Sequence, residues 1–248
     1  TFPLELVDVQ QFINEKRREK SAEEIEALKE ALRIIEKVLE DGIQQVKIGM
    51  TESELVGILE QLMRQHGADG PSFSTIVLSG PKSALPHGSP GDRAFESGDY
   101  LLIDFGVMKN GYCSDITSTF IIGEASDSQR EIYETVRASN EAGMFAVREK
   151  ERFQTFDEAA RRVIDEAGYG QYFNNRVGHG IGIELHEEPS VHGNNEQRAK
   201  VGNVFTIEPG IYIQGEGGVR IEDTVTVGED GEVEILSSFP RELQILKG

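Results

Sequence analysis

Residues 98–123 read GDYLLIDFGVMKNGYCSDITSTFIIG, and residues 202–228 read GNVFTIEPGIYIQGEGGVRIEDTVTVG. The two stretches look like copies of one hairpin. Each embeds a pair of carboxylates in an apolar, β-branched run: Asp104 and Asp115 in the first, Glu208 and Glu222 in the second. Asn110-Gly111 is a strong hairpin-turn signal. With those two residues as the loop, Gly106 lies opposite Asp115, and Asp104 points to the same face as a diagonal neighbour. In the second copy the glycine-rich stretch 214–218, in an odd-length loop centred on Gly215, puts Glu208 opposite Glu222. Like charges so placed destabilise a strand pair, and a buried, unpaired carboxylate is costly. Four such acids in two matching hairpins call for a cation, most simply a pair of divalent metals.

The repeat extends upstream of each hairpin. Two helical segments precede the first, over about 21–41 and 51–66, and two precede the second, over about 126–150 and 155–167. Each opens on a capping box: Ser21/Glu24, Thr51/Glu54, Ser126/Gln129 and Thr155/Glu158. Each half therefore reads helix, helix, strands, hairpin. The pattern predicts an α+β fold in which two pseudo-symmetric half-domains bury their helices on one face of a shared sheet and their acids on the other. Residues 21–248 are expected to form this single domain. Residues 1–20 are expected to be a lead-in, or the remnant of a preceding domain, with Leu4, Leu6, Val7 and Phe12 suggesting a short strand and turn.

Composition narrows the function less than the motifs do. A chain of 248 residues can bury a sizeable core. It has no apolar run long enough to span a membrane and no signal peptide at its start. A single cysteine, Cys113, excludes an intrachain disulfide framework and fits a reducing, cytoplasmic setting. The formal net charge of −19 argues against nucleic acid or an anionic membrane as partner.

The five histidines sort by context. His66 closes a helix just before Gly67, where a cation suits the helix dipole. His87 lies in the Pro/Gly loop SALPHGSP (83–90), a setting that displays functional groups. His179 sits in VGHGIG (177–182), where glycines allow close backbone approach. His186 follows seven residues later, and His192 is either structural or adjacent to the site. One imidazole added to four carboxylates gives an oxygen-rich site suited to Mn²⁺, Co²⁺, Fe²⁺ or Zn²⁺.

The ordered set Asp104, Asp115, His179, Glu208 and Glu222 resembles the metal-ligand signature of the methionine aminopeptidase/prolidase superfamily, the M24 "pita-bread" metallopeptidases. The strings PSFSTIVLSG, SALPHGSP, DFGVMKNGYCSDIT, GHGIGIELHEEP, TIEPGIY and GGVRIEDT are similar to its Xaa-Pro dipeptidase and aminopeptidase P branch. The resemblance implies the pita-bread (creatinase/aminopeptidase) fold around a curved antiparallel sheet. It implies two divalent ions, Mn or Co before Zn or Fe. Asp104 and Asp115 would hold one ion, His179 and Glu208 the other, with Asp115 and Glu222 bridging. His87 and His186 would contact substrate and stabilise the intermediate, and Glu208 would shuttle the proton. Arg220, His192, Tyr212 and Phe73 would bind substrate or support the ligands.

The reaction so implied is hydrolysis of the bond between an N-terminal residue and proline in a peptide substrate, with a homodimer left open. A methionine aminopeptidase, or a non-catalytic binding protein on the same fold, are the alternatives. Three departures from the Xaa-Pro pattern stand out. Asn175 replaces a histidine four residues before His179, and Ser118 replaces an arginine after Asp-Ile-Thr. At most a remnant stands where an N-terminal domain is usual.

Overall fold

Asn110 (φ 51°) and Gly111 (φ 82°) both take the left-handed backbone region, so the chain reverses in two residues as the sequence predicts. A computed structural model describes residues 7–248. Its helices are α1 (Gln10–Arg18), α2 (Ala22–Ile43), α3 (Glu52–Gln65), α4 (Asp127–Phe145) and α5 (Phe153–Glu166). The strands of the first half are β1 (Gly70–Pro71), β2 (Ile76–Ser79), β3 (Tyr100–Phe105), β4 (Val107–Lys109), β5 (Tyr112–Cys113) and β6 (Ile116–Ile122). Those that follow are β7 (Gly178–Gly180), β8 (Glu187–Val191), β9 (Val204–Ile207), β10 (Gly210–Ile213), β11 (Gly217–Arg220), β12 (Asp223–Val227), β13 (Val233–Ile235) and β14 (Ile245–Leu246).

The duplication survives in the pairing. In one half β2, β3 and β6 run antiparallel side by side, and in the other β7, β9 and β12 do the same. β8 and β13 flank the second sheet, while β14 joins the first in parallel to β6. Helices α2 and α3 bury Leu28, Leu32, Ile35, Leu39, Leu55 and Leu59, spaced along one helical face, in a single core with residues of β3 and β6. A second core gathers α4 and α5 with β9–β12 around Phe153, Phe156 and Phe205, whose rings pack edge to face or stacked 5.3–5.8 Å apart.

The halves are stitched together beside the acids. The Glu222 amide donates to the Thr117 carbonyl at 3.1 Å, and the Thr119 hydroxyl donates to the Arg220 carbonyl at 2.9 Å. No helix among the described residues is long and apolar enough to cross a membrane.

Four local expectations need correction. Residues 10–18 are helical, not a strand and turn; Leu4 and Leu6 lie outside the described residues. Asp8 accepts the Gln10 amide at 2.9 Å, and Arg17 and Arg18 anchor the helix to Glu187 and Glu188 on β8. The Ser21, Thr51 and Ser126 capping boxes all form, but the one at Thr155 does not. That helix starts two residues earlier, because Phe153, which is buried, and Gln154, which is half-buried, give their amides to the carbonyls of Gln197 and Asn195 instead of to a cap.

The helix that begins at Ser126 ends at Phe145 rather than near Lys150. The amides of Glu149 and Lys150 bond instead to the carbonyls of Gly231 and Ala199 at 2.8 Å. Finally, the second hairpin loop is three residues, 214–216, because Gly217 and Gly218 belong to β11. They are glycine for closeness rather than turning: a Cβ on Gly218 would lie 2.4 Å from the Ser83 carbonyl oxygen.

Candidate metal centre

Register places the four acids as the sequence predicts. Asp104 pairs with Thr117, and the same register carried through β4–β5 sets Asp115 opposite Gly106. Ile207 pairs with Asp223 and Gly210 with Arg220, so Glu208 faces Glu222. His179 comes in on β7, and Gly178 is what lets β7 press so close to β9. A Cβ there would sit 1.9 Å from the Thr206 carbonyl oxygen. The side chains converge at one end of a cavity of about 640 Å³ that is walled by Phe73, Ile76, Pro86 and Leu185. His87 and His186 line it as well.

Within this cluster Asp115, His179 and Glu222 are buried, and each offers a ligand atom within 4.8 Å of the other two. His179 Nδ1 faces its neighbour's carbonyl, Gly180 O, at 3.1 Å. That contact assigns the proton to Nδ1 and leaves the Nε2 lone pair pointing inward, 3.4 Å from both Asp115 Oδ2 and Glu208 Oε1. Asp115 Oδ1 and Glu222 Oε1 are buried without any hydrogen-bond partner. Unpaired carboxylate oxygens beside an unprotonated imidazole nitrogen fit a divalent cation.

The electrostatics agree. Burial first, then repulsion from Asp104 and Glu208, pushes the Asp115 carboxyl well above its usual range. Burial and Asp115 do the same to Glu222, and burial raises Glu208. Burial likewise lowers His179, and it lowers His186 to about 4 with help from the neighbouring imidazoles and Arg176. Both rings are therefore neutral near pH 7, the form that can bind a metal or donate an N–H.

Not every expected residue reaches the cluster directly. The Asp104 carboxylate is held by the guanidinium of Arg220, which crosses from the other half rather than pairing with Glu222 beside it. Tyr212 lies behind the cavity wall, and its hydroxyl accepts from Arg220 Nη1 at 2.8 Å. Phe73 lines the cavity. His192 does not; its Nδ1 accepts the Asn194 amide at 3.2 Å and shapes a turn.

Two threonines escaped the sequence reading. Thr117 donates to Glu222 Oε2 at 2.7 Å, while Thr206 accepts the His179 amide at 3.1 Å. Each is two residues from a site acid and so on its face; that spacing was the available signal. Glu52 was also missed. Fully buried at the start of α3, it accepts from Ser79 N and Oγ, Lys82 Nζ and Gly91 N, fastening both ends of the loop that carries His87.

A duplicated α+β chain that gathers acids and one imidazole at the seam of its halves, beneath a peptide-sized cleft, defines a divalent-metal protein. Residues 26–229 match the model of metallopeptidase family M24. The chain is 43% identical over 242 residues to "Putative dipeptidase YkvY" of Bacillus subtilis (98% of this chain, 66% of that protein). It is 42% identical over 239 residues to the "Xaa-Pro dipeptidase" of Pyrococcus furiosus (96% and 68%). The crystal structure of "X-Pro aminopeptidase from Thermotoga maritima" superposes with a TM-score of 0.92 at 40% identity, over 95% of this chain and 66% of that one. The chain thus belongs to metallopeptidase family M24, and it spans about two thirds of the length of these relatives.

Proposed function

We propose that residues 21–248 form the catalytic domain of a two-metal exopeptidase that hydrolyses the bond between an N-terminal residue and proline. The observation that carries this reading is the convergence, from two half-domains, of Asp104, Asp115, His179, Glu208 and Glu222, with two buried carboxylate oxygens unpaired among them. Asp104 and Asp115 would hold one ion, His179 and Glu208 the other, with Asp115 and Glu222 shared. Relatives named for Xaa-Pro dipeptide and X-Pro substrates support the choice of substrate. So does the apolar wall of Phe73, Ile76, Pro86 and Leu185, which suits a pyrrolidine ring.

Divalent ions at this site would supply Lewis acidity and acidify water enough for attack near neutral pH. The chain's own groups do the rest. Glu208, lining the cavity beside the other acids, takes the proton of the attacking water and passes it toward the leaving nitrogen. His186 is neutral, so it offers the developing oxyanion an N–H hydrogen bond rather than a charge. His87, on the loop fastened by Glu52, lines the same cavity and contacts the substrate there.

The test is a chelation and reconstitution series with Mn²⁺ and Co²⁺. It is assayed on Xaa-Pro dipeptides, Xaa-Pro-Yaa and Met-Xaa-Yaa peptides, with elemental analysis of the loaded protein. Two ions per chain and Xaa-Pro cleavage lost on chelation are expected. Cleavage of Met-Xaa-Yaa alone would make it a methionine aminopeptidase, and activity unaffected by chelation would sink the metal assignment.

A further inference from the structure

Only two basic side chains, Arg176 and Arg220, line the cavity. Arg220 is 3% exposed and already committed. Its guanidinium donates to Asp104, Thr117 Oγ1, Tyr212 Oη and the Pro86 carbonyl. Its work is internal, so it has no face to turn toward a ligand. Arg176 is the opposite case. It is exposed, and it opens both on the main cavity and on an adjoining groove whose three acids, Glu184, Glu187 and Glu188, are paired with Arg17 and Arg18. Among the described residues no carboxylate lies within ion-pair distance of it, in a chain of net charge −19. Its one side-chain hydrogen bond is a long 3.4 Å contact to Ser190 Oγ.

The backbone beneath Arg176 is firmly held. Arg161 donates to the carbonyls of Phe173 and Asn175, and the Val177 amide and carbonyl bond to Val191 and Glu208. The guanidinium therefore stands on a fixed base, its donor fork engaged only by the long contact to Ser190 Oγ. It stands three positions before His179, a backbone span of at most about 10 Å, comparable with the length of a dipeptide. Of the two guanidinium groups lining this cavity, only that of Arg176 is left without a carboxylate partner among the described residues.

We propose that Arg176 receives a carboxylate of the bound peptide, through the two-pronged geometry that a guanidinium and a carboxylate share. The proposal rests on the peptidase reading above. A peptide has two sources for that group, the C-terminus of a dipeptide and an acidic side chain.

The test compares the metal-loaded wild type with Arg176→Gln and Arg176→Lys on two matched pairs: Leu-Pro against Leu-Pro amide, and Glu-Pro against Gln-Pro. Arg176 is exposed, so the variants should keep the wild-type melting temperature. In the Gln variant KM should rise about fivefold for the anionic member of one pair, as expected for an exposed ion pair, with kcat and the neutral member little changed. The Lys variant should recover part of the loss. A response of the acid/amide pair identifies the C-terminal carboxylate, and a response of the Glu/Gln pair identifies a side chain.

Unchanged ratios in both pairs would overturn the proposal. Should the wild type cleave none of the four peptides, the substrate reading fails. The same peptides titrated calorimetrically as ligands then decide Arg176 separately. An anionic preference lost in the Gln variant upholds its role, and equal binding overturns it.

Discussion

The hydroxyl of Thr117 serves two partners at once: it donates to Glu222 Oε2 and accepts Arg220 Nε at 3.1 Å, while Arg220 in turn holds Asp104. A single small side chain thus orients one acid from each half. Thr117→Val keeps the shape and removes both bonds. It should weaken metal binding by about 10–100-fold, the usual cost of losing a group that supports a ligand, as read by competition with a chromogenic chelator. A second substitution separates holding the metal from acting on substrate. Glu222→Gln removes a charged oxygen from the cluster and should lower metal occupancy. His186→Ala should leave occupancy near wild type and cut kcat, since His186 stands beside His179 (ring centroids 4.1 Å apart) but is no part of the tight cluster. Loss of metal from the His186 variant would place that ring among the ligands. At this scale the sequence carried the acids, because strand alternation fixes which residues share a face. It did not carry the partner of Arg220, since a side chain that crosses between halves leaves no spacing to read.

At the scale of elements, three helix starts were legible because their caps are purely local. A hydroxyl and an acid or amide three residues apart satisfy amides that lie within the same turn. The start of α5 was not, because its amides are met by the carbonyls of residues 195 and 197, a neighbour the local pattern does not reveal. The two kinds of start should respond differently. Ser126→Ala removes a formed capping box and should cost about 1 kcal/mol in urea denaturation. Thr155→Ala, whose hydroxyl meets only Glu151 Oε1 at 3.1 Å, should cost clearly less. Equal losses would mean that Thr155 caps the helix after all. The loop of the second hairpin teaches the same lesson: its glycines resembled turn residues, but two of them serve close packing against other segments.

The whole molecule couples its stability to its cargo. Asp115, Glu208 and Glu222 all have carboxyls raised by burial, so the folded, metal-free protein keeps protons that the unfolded chain releases above about pH 4–5. Such groups cost no stability at low pH and destabilise increasingly as pH rises from there. Metal binding removes that penalty by displacing the protons. The gain in melting temperature on adding Mn²⁺ should therefore grow between pH 5 and pH 8, and proton release should accompany uptake. The charge of −19 disfavours the fold at high pH in both forms, so the difference between loaded and chelated protein is the quantity to follow. A gain that shrinks as pH rises would contradict the buried, protonated acids. The two-fold plan was legible in the sequence because a duplicated pattern repeats its own errors and signals alike. The seam was not, because it is built from contacts between the copies.

Arg220 reaches Asp104 across that seam, and the order of synthesis gives the strap a meaning of its own. During synthesis Asp104 emerges without the guanidinium that holds it, since Arg220 stands 116 positions later in the chain. Only once β11 has emerged can the acid of the first half be tied to the second, so this attachment cannot form until most of the chain has been made.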